Sequence, residues 1–99
     1  MKILFDESNP NKVVELISKA LGSRELGKMV EFSLKGADLC VVISKMGRSE
    51  LLFASQENGE GLLFELTKEK IAFAHRPFKD EVMSKIKKVI ETCGGQVHS

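Results

Sequence analysis

The stretch GSRELGKM, Gly22 to Met29, departs from the phosphate-cradling pattern G-x-x-x-x-G-K-[ST] only at its last position. In a phosphate loop, glycine-rich backbone joins a buried strand to a helix N-terminus, and a Ser or Thr hydroxyl ligates magnesium. Met29 cannot ligate magnesium, Gly22 follows a helical pattern, and the next residues, KMVEFSLKG, alternate like a strand. The stretch therefore reads as a helix stop at Gly22 and a chain reversal at Gly27, and no cofactor is expected.

A second cluster, AHRPFKDE, brings His75 and Arg76 next to Asp80 and Glu81. A His beside an Arg is suited to contacting an anion or a ligand, and His to proton transfer. The same residues also serve a strand-to-helix junction: Pro77 starts the helix, Phe78 anchors it, and the carboxylates favour its positive end. No Ser or Cys stands beside His75 in sequence as a nucleophile, so an enzyme is not expected. Arg48 and Lys45 make a small basic hairpin tip, and Lys85, Lys87 and Lys88 point in different directions around a helix. SQENGEG lacks the ligand pattern of a calcium loop. Cys40 and Cys93 have neither C-x-x-C spacing nor a His partner and read as small core residues, so no metal site is expected.

Composition narrows the function classes further. Fifteen Lys and Arg against fourteen Asp and Glu leave a net charge of +1, and Trp and Tyr are absent. A global basic field and stacking platforms are therefore both missing, which argues against a nucleic-acid partner. The opening MKILFDESNP is too short in apolar residues for a secretory segment, and no apolar run reaches membrane-spanning length. A cytoplasmic protein with no membrane partner is expected, folded as a single domain over residues 1–99, with 94–99 a frayed tail.

The elements that position these residues follow from periodicity. KILF is a short strand. Asn9 caps and Pro10 opens a helix ending near Leu21, with Val13, Val14, Leu16, Ile17, Ala20 and Leu21 on one side. From Lys28 to His75 the period is two, predicting strands over 28–34, 39–45, 49–56, 62–66 and 70–75, with turns at 35–38, 46–49, 57–61 and 67–70. Such short connections require antiparallel neighbours. A second amphipathic helix runs from Phe78 to Cys93 and stops at Gly94-Gly95. The expected fold is α+β, in the order β-α-β-β-β-β-β-α, with a five- to six-stranded antiparallel sheet and both helices on one face. This order resembles the TATA-binding-protein-like and helix-grip architectures, in which a curved sheet wraps a C-terminal helix, and that is the alternative.

With Val30, Phe32, Leu39, Val41, Ile43, Leu51, Phe53, Phe64, Ile71 and Phe73 directed at the helices, the opposite face receives Met29, Cys40, Val42, Leu52, Ala54, Leu63, Ala72 and Ala74. A face this apolar is expected to be covered by a second copy of the chain or by another protein. The functional expectation is a non-enzymatic interaction or regulatory module acting through that face or an edge strand. The competing expectation is a carrier of a small apolar ligand held between sheet and C-terminal helix.

Overall fold

A computed structural model describes residues 1–22 and 25–98. Ser23 and Arg24, within the GSRELGKM stretch, and Ser99 lie outside the described residues. Strand β1 (Lys2–Phe5) leads into helix α1 (Pro10–Leu21), followed by a 3-10 turn (Glu25–Lys28). Strands β2 (Val30–Lys35), β3 (Asp38–Ile43), β4 (Ser49–Glu57) and β5 (Leu62–Lys70) form a meander. A 3-10 segment (Phe73–Phe78), helix α2 (Lys79–Thr92) and strand β6 (Gln96–His98) complete the chain. The strands form one six-stranded sheet in the order β2-β3-β4-β5-β1-β6, antiparallel at every pairing. The fold is α+β with an open antiparallel sheet and two helices.

Helix α1 begins as its residues dictate. Asn9 is extended and its side chain accepts the Asn11 N–H at 3.0 Å, while Pro10, which has no N–H to satisfy, occupies the first turn. Val13, Ile17 and Leu21 of α1 and Ile86, Val89 and Ile90 of α2 are buried on the same side of the sheet, against Ile3, Phe32, Val41, Leu51, Phe53 and Phe64. Phe5 and Phe64 meet edge to face with centroids 6.3 Å apart. Burial of one such ring contributes about 1.5–3 kcal/mol, so this single core carries the fold. No helix among the described residues is long and apolar enough to cross a membrane.

Four expectations are corrected. Residues 67–70 are no turn: β5 continues to Lys70, with a register shift opposite Leu52 and Phe53. Of the segment 70–75 expected as a fifth meander strand, Lys70 still pairs with Glu50 as the end of β5; the chain then leaves the sheet and enters a 3-10 segment at Phe73, which is 83% exposed. Within the tail expected from 94, Gln96–His98 pairs with β1 and supplies the sixth strand, giving the order β-α-β-β-β-β-α-β. Gly22, expected as a glycine stop, caps α1 in the right-handed region at φ −55° and does not use glycine's left-handed freedom, whereas Gly94 at the end of α2 takes positive φ.

Candidate functional site

The strand register decides what the outer face of the sheet, away from the helices, presents. Cys40, Val42, Leu52, Ala54 and Leu63 lie there, but in rows with charged neighbours: Glu31 beside Val42, Val42 beside Glu50, Leu52 beside Lys68, and Ala54 beside Glu65. Cys40 is buried and the other four are half-buried. The remaining members of the expected apolar face sit elsewhere, since Met29 precedes β2 and Ala72 and Ala74 follow β5. At the Arg48 end, the Arg48 guanidinium donates to the Glu50 carboxylate at 3.2 Å. That hydrogen bond, with the nearby charges of Lys35 and Lys70, holds the Glu50 carboxyl below its ordinary range. The outer face is thus a charged surface with apolar patches, not the continuous oily one expected.

Three of the four large exposed apolar side chains among the described residues belong to the β3–β4 hairpin and the 3-10 segment instead: Met46 and Phe73, 82% and 83% exposed, and Phe78; the fourth, Leu16, lies on α1. Met46 and Phe78 line a cleft of about 260 Å³, walled by Met29, Ile43, Ile71, Val82 and Met83. Its polar lining includes Lys45, Lys79, Lys85 and Glu81, with Ser49 and His75 also on its wall.

Three elements build this cleft. The β3–β4 hairpin turns at Met46 and Gly47, at φ +57° and +129°. For Gly47 the reason is close approach as well as backbone conformation, because an added Cβ would stand 3.2 Å from the Cβ of Ala72. Among the described residues Met46 is the non-glycine residue held at positive φ, a conformation unfavourable for a bulky side chain, and it raises its thioether into solvent at the rim. The 3-10 segment supplies Ala74, His75 and Phe78, and the first turns of α2 supply Lys79, Val82, Met83 and Lys85. Lys79 pairs with Glu69 at 2.6 Å, fastening the start of α2 to the end of β5.

Ser49 and His75 join hairpin and 3-10 segment. The Ser49 hydroxyl lies 2.6 Å from His75 Nδ1 and accepts the Ala72 N–H at 2.8 Å, while His75 Nε2 contacts the Lys45 carbonyl. A carbonyl can only accept, so Nε2 carries a proton; in the neutral ring Nδ1 is then the acceptor and the Ser49 hydroxyl donates to it. Hydrogen bonds therefore run from Ala72 N–H through Ser49 and His75 to Lys45, with every group satisfied and each bond polarising the next.

A serine this close to a histidine invites comparison with an activated nucleophile. Here the geometry opposes it: Ser49 is fully buried, its oxygen already receives the Ala72 N–H, and the outer imidazole nitrogen is held by a carbonyl instead of a carboxylate. The arrangement works as a staple. It separates the two residues expected as an anion contact, because His75 turns into the cleft wall while Arg76 lies outside with its guanidinium 5.5 Å from the Phe73 ring centroid. No hydrogen bond or ion pair joins His75 or Arg76 to Asp80 or Glu81.

Both cysteines are free thiols, and burial raises the Cys93 thiol above its ordinary value. Among the described residues, no three His, Cys, Asp or Glu side chains gather to hold a metal ion. Sequence periodicity had no means of finding the cleft, since its walls come from positions 29, 43–49, 71–78 and 79–85. No family model, curated protein or solved structure matches the chain.

Proposed function

We propose that this chain is a non-enzymatic, cytoplasmic interaction module that seats a bulky apolar side chain of another protein in the cleft between the β3–β4 hairpin, the 3-10 segment and α2. One observation carries this reading: Met46 and Phe78 stand exposed at the rim of an apolar cavity, with Phe73 exposed on the same 3-10 segment. Keeping such side chains in water is unfavourable, and clustered exposed apolar groups are characteristic of binding surfaces. Size favours a partner side chain over a free ligand, since about 260 Å³ falls below the ~300–1,000 Å³ of small-molecule sites. Charge narrows the partner: Lys79 is paired with Glu69 and Lys85 with Glu81, which leaves Lys45 as the cleft lysine outside the ion pairs of the described residues and favours an Asp or Glu beside the apolar anchor.

Selection from a displayed peptide library tests this. The expected consensus is a Phe, Leu or Met flanked by acidic residues. Its binding is lost with Met46→Glu and Phe78→Glu and kept with Val42→Glu on the outer face. Peptides that bind the cleft variants as well as the parent chain, or that are lost only with Val42→Glu, would place the working surface elsewhere. No peptide, together with a melting temperature raised by small apolar compounds, would favour the carrier.

A further inference from the structure

The sheet has two edges, β2 and β6, and they are unlike. Strand β6 spans only Gln96–His98, whereas β2 offers Val30–Lys35 in full. The Ser44 N–H donates to the Met29 carbonyl at 2.8 Å, which fixes the phase of the β2–β3 ladder. Bonding alternates along an antiparallel pair, so Glu31, Ser33 and Lys35 spend their backbone groups on Val42, Cys40 and Asp38. The N–H and C=O groups of Val30, Phe32 and Leu34 therefore face outward along the free edge. Among the described residues, no turn, loop or cap bond reaches them. VEFSLK has no proline, bulge or inward-pointing charge to blunt this edge, and its two charges, Glu31 and Lys35, are of opposite sign and lie on the outer face.

We propose that β2 pairs with β2 of a second copy of this chain, antiparallel about a two-fold axis at Ser33, joining two sheets into one. The strand is self-complementary in that register alone. Phe32 and Leu34 meet Leu34 and Phe32 of the second copy, and their outward-facing N–H and C=O groups bond in phase. On the outer face Glu31 meets Lys35 of the second copy and Lys35 meets its Glu31, with Ser33 opposite Ser33. Sliding by two residues either way sets Glu31 or Lys35 opposite Ser33 and loses both charge pairs. Sliding by one turns the bonding groups away from each other. The contact is isologous, as a closed dimer requires.

Sedimentation velocity with reciprocal charge variants tests this pairing. The parent chain should sediment at twice its 11.0 kDa mass. Glu31→Lys and Lys35→Glu each turn two attractive cross-strand pairs into repulsive ones, which should weaken the dimer by at least about tenfold. The variant carrying both changes should regain it, and an equimolar mixture of the two single variants should form a heterodimer. Glu31 and Lys35 are exposed, so circular dichroism should show all variants folded. A parent chain that stays at one chain mass up to about 1 mM overturns the proposal and leaves the edge to a strand from another protein. It is overturned equally by single variants that dimerise like the parent, which would place the contact at another surface, and by a mixture of the two that stays monomeric.

Discussion

Replacing Ser49 by Ala should cost this small fold more than its modest chemistry suggests. The substitution removes one hydroxyl from a fully buried strand position and leaves two groups behind it. The Ala72 N–H loses its 2.8 Å acceptor and His75 Nδ1 loses its 2.6 Å donor. A lost hydrogen bond costs about 0.5–1.5 kcal/mol, and a buried group left unpartnered about 1–3 kcal/mol. Ala72 and His75 are half-buried, so water recovers part of this, and a total near 2 kcal/mol is expected. For a domain of this size that corresponds to a fall in melting temperature of roughly 8–16 °C.

Calorimetry and urea unfolding measure the total, and hydrogen exchange locates it. The amides of Ala72 and His75 should lose protection, the second because His75 N–H bonds the Ala72 carbonyl at 2.9 Å. A double-mutant cycle with His75→Ala isolates the shared bond. If Ser49 and His75 act as one staple, the second substitution costs less in the Ser49→Ala background, with a coupling of about 1 kcal/mol. A Ser49→Ala protein within about 0.5 kcal/mol of the parent, with unchanged exchange at Ala72 and strictly additive effects, would refute the staple.

Gly61→Ala should prevent stable folding, because a Cβ there would lie 1.9 Å from the Phe5 carbonyl oxygen and 2.8 Å from the Glu7 nitrogen; circular dichroism and a thermal melt check this. Cys93 should alkylate more slowly than an unstructured thiol at neutral pH, because burial raises its pKa and lowers its thiolate fraction. The sign for stability follows: the contribution from keeping this thiol neutral is complete below the unfolded-state pKa and is lost as pH rises through the higher folded-state value. Iodoacetamide kinetics against pH, read by mass spectrometry, should show the Cys93 rate still climbing where that of a model thiol has levelled.

What was readable along the chain and what was not divides by the range of the forces involved. Helix α1 is specified within its own residues, by Asn9, Pro10 and the spacing of Val13, Ile17 and Leu21, and so are the hairpins at Gly36-Ala37 and Met46-Gly47. The run Thr67–Lys70 has the composition of a turn because that composition answers to exposure. Strand β1 ends its pairing with β5 near Leu66, so the rest of β5 is bonded to β4 alone and can carry Lys68, Glu69 and Lys70 into solvent. Thr67 sits at the register shift, where its hydroxyl donates to the Leu52 carbonyl at 3.2 Å and partners a group beside the disturbed ladder. That irregularity breaks simple alternation. Strand β6 was hidden for a different reason: QVH is too short to signal a strand, and it becomes one because β1, more than ninety residues earlier, offers a free edge on which Val97 pairs with Ile3. The cleft exists because of the same two features. With β5 carried on to Lys70, the chain reaches Phe73–Phe78 beside the β3–β4 hairpin and not beside β5, and there Ser49 and His75 meet across twenty-six residues of sequence. The apolar residues that alternation assigned to a fifth strand are consequently distributed between a cleft wall, at Ile71 and Ala74, and an exposed aromatic, at Phe73. The proposed binding surface therefore lies at the end of the sheet and not on its face.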